Sequence, residues 1–300
     1  MSVIQAPDCN VGTRMLRVGN RSIHLADTGE GPTVLMLHGG GPGASGVSNY
    51  ARNIAALATK FRVLVPDMPG YGKSSKGLNP VDIWGDLAQT MHALLDELGV
   101  AHAHVVGNSA GGGCALRMAL DRPGRIGRVV LMGPGGIDVS KTPPTDGLKR
   151  LLTYYEGEGP TFEKLRRFIT EDLVYDGSQV PESMLRERYR HSIDPEVIAN
   201  PPLRAPRDAA ALGKLDLALD PRLPALTNPT LVLWGVEDRV NPARGGVTLQ
   251  NLMPNCDLYL FSRTGHWVQW ERADEFNAVV SAFLGAEGHV AEPTVVGAAA

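Results

Sequence analysis

Short apolar runs recur along the chain, separated by stretches long enough for a helix. Thr33-Val-Leu-Met-Leu37 and residues 61–65, 104–106, 128–132, 230–234 and 258–261 are of this kind. A strand that is apolar on both faces must be covered on both faces, and strands that alternate with helices pair in parallel through crossover connections. Helices are expected between the strands at 47–58, 81–98, 110–121 and 243–252, with a last one at 273–284. Two β-like runs at the start, 14–18 and 22–27, meet at Gly19-Asn20, a dipeptide suited to a tight hairpin. The expected fold class is therefore α/β: an eight-stranded, mostly parallel sheet with an antiparallel start, covered by helices.

The rhythm breaks between residues 140 and 206. This interval holds charged, amphipathic, helix-like segments at 148–155, 162–173 and 182–192 and no buried-strand run. It reads as a helical lid inserted into the sheet domain. The expected organisation is thus a first core part at 1–139, the lid at 140–206, a second core part at 207–285 and a small-residue tail at 286–300.

Composition narrows the partners. The chain has 29 Lys+Arg against 32 Asp+Glu, which argues against a nucleic-acid binder. With 43% hydrophobic and 20% charged residues it is not a disordered chain. Cys9, Cys114 and Cys256 are far apart, odd in number and without zinc spacing, as expected in a reducing compartment. No secretory signal or membrane span is read, so the protein is expected in the cytoplasm. The 35 glycines and 22 prolines are in excess of a usual globular domain and call for sharp turns somewhere.

The chemistry concentrates in three loops that follow strands. Gly107-Asn108-Ser109-Ala110-Gly111 fits G-x-S-x-G between a strand and a helix, the context of a nucleophile elbow. A serine hydroxyl needs a base and an orienting carboxylate, in the chain order Ser, acid, His. Asp238 follows the 230–234 strand and His266 the 258–261 strand, both where open α/β sheets put their active sites. Glu237 is the competing acid and reads as a solvated charge. The loop His38-Gly-Gly-Gly-Pro-Gly43 could give one backbone donor of an oxyanion hole, with the N–H of Ala110 as the other. Gly41-Pro-Gly43-Ala-Ser-Gly46 also matches a dinucleotide fingerprint with Asp67 as its acid, a rival that would leave the Ser/Asp/His set unexplained. Gly72-Lys73-Ser74 ends like a P-loop, but Asp67 stands where that motif needs Gly. His102 and His104 share a strand face with no evident third ligand and read as packing residues, so no metal is expected.

With these motifs the chain resembles the α/β-hydrolase fold over nearly its whole length. His38-Gly-Gly-Gly-Pro-Gly-Ala44, Ser48-Asn49-Tyr50, Gly107-Asn-Ser109, Met132-Gly-Pro-Gly-Gly136 and Gly265-His-Trp-Val-Gln-Trp-Glu271 further resemble the meta-cleavage product hydrolases. Those enzymes hydrolyse a carbon–carbon bond in 2-hydroxy-6-oxo-hexa-2,4-dienoates from aromatic or steroid catabolism. The resemblance implies Ser109, Asp238 and His266 as the triad, Gly40 and Ala110 as oxyanion donors, and Asn49, Asn108, Arg188 and Trp267 around the dienoate. Arg188, matched through Glu187-Arg-Tyr189, has Arg186 and Arg190 as neighbouring alternatives. Many relatives are expected to carry Met or Leu where Ala110 stands, so the pocket beside the nucleophile should be roomier here. No organic cofactor is implied, and a homo-oligomer is. The alternative function is a carboxylesterase or other serine hydrolase using the same triad without the dienoate contacts. Epoxide hydrolases and dehalogenases fit less well, having Asp at the Ser109 position, and a non-catalytic ligand receptor would leave the triad without a use.

Overall fold

The computed structural model describes residues 11–206 and 208–286; Cys9 and, apart from Ala286, the expected tail lie outside this set. The strands are β1 (Thr13–Val18), β2 (Arg21–Thr28), β3 (Thr33–Leu37), β4 (Arg62–Pro66), β5 (Ala103–Asn108), β6 (Ile126–Met132), β7 (Thr230–Gly235) and β8 (Cys256–Phe261). They form one sheet in the order β1-β2-β4-β3-β5-β6-β7-β8. β1 pairs antiparallel with β2 in a hairpin turning at Gly19-Asn20, β2 pairs antiparallel with β4, and every later pairing is parallel.

Among the described residues the helices are α1 (Gly46–Tyr50), α2 (Ile54–Leu57), α3 (Ile83–Glu97), α4 (Ala110–Asp121), α5 (Asp146–Leu152), α6 (Phe162–Arg167), α7 (Glu182–Ser192), α8 (Pro195–Ala199), α9 (Ala209–Leu215), α10 (Arg244–Leu252), α11 (Val268–Glu271) and α12 (Ala273–Gly285). The alternation of side chains along each strand divides the apolar runs between two cores. Leu35 and Leu37 of β3 pack with Val105, Leu131 and Val232 against α3 and α4; Val34 and Met36 pack with Val106, Val130 and Leu233 against α1, α2 and α12. Each such side chain contributes roughly 1.5–3 kcal/mol by leaving water, which is why these strands tolerate so few polar residues.

Two expected helices are interrupted. The run 47–58 splits into α1 and α2 because Asn53, between them, is buried and donates from Nδ2 to Gln269 O at 3.0 Å and to Asn277 Oδ1 at 2.9 Å. These bonds tie the chain to α11 and α12 at the point where the helix would have continued. The run 162–173 is α-helical only to Arg167 and continues as a π-helical turn, Phe168–Leu173. Such turns re-aim side chains and recur at functional sites; this one reaches the candidate site described below.

Between β6 and β7 no strand interrupts the described residues. Leu151, Tyr154, Leu165, Phe168 and Leu185 of the insertion form a third apolar cluster with Val240 and Trp267 from the loops after β7 and β8 and Trp270 of α11. The insertion thus closes over the ends of the strands from which the candidate residues project. Helices α8 and α9, absent from the sequence-based expectation, are short and carry Asp194 and Asp208 as N-caps.

Candidate active site

β5 ends at Asn108 and α4 begins at Ala110, so the chain reverses within one residue. Ser109 takes that turn at φ 52°, ψ −114°, a strained conformation for a side chain, costing about 1–3 kcal/mol. The backbone is held by Ser109 N–H donating to Met132 O at 2.8 Å, while Ser109 O accepts from Gly135 N at 2.8 Å and Gly113 N at 3.0 Å. A Cβ on Gly111 would lie 2.1 Å from Leu37 O, which explains the second glycine of the pentapeptide. Although Ser109 stands at the N-cap position, its hydroxyl makes no capping bond.

Asp238 and His266 come together 28 residues apart in sequence. His266 Nδ1 is 2.7 Å from Asp238 Oδ2, and both side chains are buried. The carboxylate is fixed on all sides: Oδ1 accepts from Val240 N at 2.8 Å and Asn241 N at 2.9 Å, and Oδ2 also accepts from Trp234 Nε1 at 3.0 Å. With Nδ1–H committed to Asp238, His266 Nε2 is left as an acceptor. It is buried and has no hydrogen-bond partner among the described residues. Glu237 turns elsewhere and accepts from Thr264 N at 3.0 Å, so the competing acid braces the His266 loop rather than facing the imidazole or only water.

Gly40 lies against the Ala110 side chain: a Cβ on Gly40 would be 3.1 Å from that of Ala110. The Ala110 N–H is one of the orphan donors of the first turn of α4. His38, to which the sequence assigned no role, orients the glycine loop. Its Nε2 accepts from Met68 N at 2.9 Å, which leaves Nδ1–H to donate to Gly39 O at 2.8 Å. Burial lowers the pKa of His38 and keeps it in the neutral form that this pattern requires. The dinucleotide rival loses its acid here, because Asp67 accepts from Gly46 N at 2.8 Å and Lys73 N at 2.9 Å and contacts His24 at 2.9 Å. His104 Nδ1 accepts from Arg128 N at 2.9 Å, a packing role, and no group of three His, Cys, Asp or Glu among the described residues is placed to hold a metal.

The four polar residues expected around a ligand are all buried on one side of Ser109. Asn49 Oδ1 accepts from Trp267 Nε1 at 3.1 Å and its Nδ2 has no partner among the described residues. Asn108 Nδ2 lies 3.4 Å from both Met132 O and His266 O. Arg188, from α7, is 3% exposed. Its Nε donates to Pro42 O at 2.9 Å and its guanidinium lies 5.7 Å from the Trp267 ring centroid. No carboxylate pairs with it among the described residues, and burial pushes its pKa down to about 10. Arg186, by contrast, is exposed and pairs with Glu182. These groups and Phe168 and Leu173 of the π-helical turn surround a polar pocket of only ≈ 20 Å³. On the other side of Ser109 opens a chamber of ≈ 540 Å³ with mostly apolar walls, among them Trp84, Ala110, Ile137, Leu148 and Val240.

Glu271 had no assigned role in the sequence, although it closes the quoted Gly265–Glu271 motif. Its Oε1 accepts from Gly265 N at 2.9 Å and its Oε2 from Tyr175 N at 2.7 Å, so it fastens the His266 loop to the insertion. The same seam carries a bond from His266 N to Leu173 O at 2.8 Å. The available signal was the one charged residue in the segment Trp267-Val-Gln-Trp-Glu271. Burial raises the Glu271 pKa from 4.5 to about 7, against the lowering effect of the backbone donors. A carboxyl with a raised folded-state pKa binds more protons folded than unfolded between these values, so its contribution to stability is fullest below about 4.5 and is lost as pH rises to about 7. Urea unfolding should therefore show the wild type losing about 3 kcal/mol relative to Glu271→Gln between pH 4.5 and 8. Parallel pH curves for the two proteins would contradict this.

A buried, acid-oriented histidine and a strained serine at a strand-to-helix turn, on an eight-stranded sheet of this order, define a hydrolase of the α/β-hydrolase class. The alpha/beta hydrolase fold family matches residues 32–273. The 2-hydroxy-6-oxo-6-phenylhexa-2,4-dienoate hydrolase of Burkholderia cepacia is 40% identical over 89% of this chain and 92% of the relative. The 2-hydroxy-6-oxononadienedioate/2-hydroxy-6-oxononatrienedioate hydrolase of a Pseudomonas species is 40% identical over 88% and 92%. Among solved structures, a meta-cleavage product hydrolase from Pseudomonas fluorescens superposes with a TM-score of 0.81 at 31% identity, covering 91% of this chain and 97% of the other. The chain belongs to the α/β-hydrolase family, and within it the meta-cleavage product hydrolases are the enzymes it resembles.

Proposed function

We propose that the protein hydrolyses the C5–C6 bond of a 2-hydroxy-6-oxo-hexa-2,4-dienoate. The observation that carries this reading is Arg188. A guanidinium buried without a counter-ion is costly to keep and calls for an anion. A planar 2-oxo-carboxylate suits its fork of donors, and Asn49 Nδ2, also unpartnered, points to a second polar contact. Simple esters offer neither group. With only ≈ 20 Å³ free, the side chains around the polar pocket must shift to admit the dienoate.

In this reading the dienoate occupies the polar pocket with its C6 carbonyl at Ser109 and its C6 substituent in the apolar chamber. His266, oriented by Asp238, moves a proton to C5, which turns the dienol into a ketone and makes the C5–C6 bond cleavable. Ser109 Oγ attacks C6, and the Gly40 and Ala110 N–H groups hold the developing oxyanion. His266 takes the Ser109 proton, the bonding pair of the broken bond passes through C5 to the 2-oxo oxygen as a dienolate that receives that proton from His266, and water then releases the acyl group. The balance is one dienoate and one water to one carboxylic acid and one 2-hydroxypenta-2,4-dienoate.

The test is to mix the enzyme with the yellow 6-phenyl dienoate and, separately, with a nitrophenyl ester. The expected result is rapid loss of colour with a kcat/KM at least about 100-fold above that for the ester, the scale set by one charged recognition contact. Turnover of the ester with a stable dienoate would favour a carboxylesterase instead.

A further inference from the structure

The apolar chamber carries a conclusion about the substrate that rests on the proposed function and goes further. We infer that the C6 substituent this enzyme accepts is an uncharged group of two or more fused or linked rings, admitted because Ala110 leaves the passage beside Ser109 open.

Capacity is the first argument. A cavity of about 150 Å³ holds a single benzene ring. The chamber, at ≈ 540 Å³, has more than three times that space, so a methyl or single phenyl group would leave most of it unfilled. An unfilled apolar cavity forgoes the contacts that would favour binding. Ser109 and Ala110 both line it, so the chamber begins at the reacting carbon. With a methyl group as its whole side chain, Ala110 leaves open a passage that a longer residue would narrow.

Charge is the second argument. The buried walls of the chamber include Trp84, Trp234 and Val240, none of which can neutralise an anion. The cations along the chamber are at its outer rim. Lys141 and Lys149 are exposed and pair with Asp138 and Asp146, and Arg204 is exposed to solvent. A substituent ending in a carboxylate would be desolvated against indole and aliphatic walls without a counter-charge. The chamber therefore selects against the second carboxylate of a nonadienedioate, in contrast to the polar pocket, where Arg188 awaits the first.

The experiment compares kcat/KM of the full chain on four dienoates whose C6 substituents are methyl, phenyl, biphenylyl and the carboxyethyl of 2-hydroxy-6-oxonona-2,4-dienedioate. The expected order places biphenylyl at or above phenyl, methyl about tenfold or more below phenyl, and the dienedioate about 100-fold below phenyl. Ala110→Leu, at the passage, and Val139→Trp, on the chamber wall, should each lower the ratio of biphenylyl to methyl activity at least about tenfold. That ratio is independent of how much of each variant folds. Methyl preferred over biphenylyl, a dienedioate as good as phenyl, or an unchanged ratio in both variants would overturn the inference while leaving C–C hydrolysis standing. Absence of turnover on all four would overturn both.

Discussion

Replacing Ser109 by Ala is expected to lower dienoate turnover by a factor on the order of 10⁴ or more while leaving the dienoate bound. The hydroxyl makes no capping bond to α4, so its loss leaves the helix start intact. The strained turn is fixed by backbone bonds to Met132, Gly135 and Gly113, which Ala retains. Stopped-flow absorbance on mixing this variant with a 6-phenyl dienoate should therefore show a rapid spectral change of binding with no following decay, at an unaltered Tm. Decay at a rate near wild type would remove Ser109 from the reaction and require another nucleophile.

Arg188→Met is expected to separate dienoates from esters. Truncating one partner of a buried charge pair costs about 2–5 kcal/mol, so kcat/KM for the dienoate should fall about 30-fold to several thousand-fold. A nitrophenyl ester, which has no carboxylate to place, should lose less than about threefold. Among the described residues Arg188 has no ion pair to break, and loss of its bond to Pro42 O is offset by removal of an uncompensated buried charge, so Tm should hold. Equal losses on both substrates together with a lower Tm would make Arg188 a structural residue.

Most of the sheet was legible because parallel strands buried on two faces have an unmistakable pattern. Every strand lies within two residues of its apolar run; the largest offsets are at the starts of β6 and β8, where Gly127 and Asp257 interrupt the apolar stretch, and at the end of β5, which runs on through Gly107-Asn108. The elbow and the residues after β7 and β8 were legible for a related reason, since the turn glycines and the chain order are local signals. What escaped was tertiary. The break between α1 and α2 depends on Asn53 finding acceptors more than 200 residues away. The roles of His38 and Glu271 depend on backbone groups of Met68 and Tyr175 that no spacing rule connects to them. Glu237, read as a solvated charge, accepts a backbone bond because the chain returns past it at Thr264. Ala110, expected to leave more room than Met or Leu on the size of one side chain alone, is among the residues that line the chamber.

The fate of the C5–C6 bond is the centre of the account, and product analysis of the 6-phenyl dienoate reaction reads it directly. One benzoate and one 2-hydroxypenta-2,4-dienoate should form for each dienoate consumed, with the oxygen of labelled water appearing in the benzoate. Colour loss without benzoate, or an unreacted dienoate beside rapid ester cleavage, would contradict C–C hydrolysis as the function of this site.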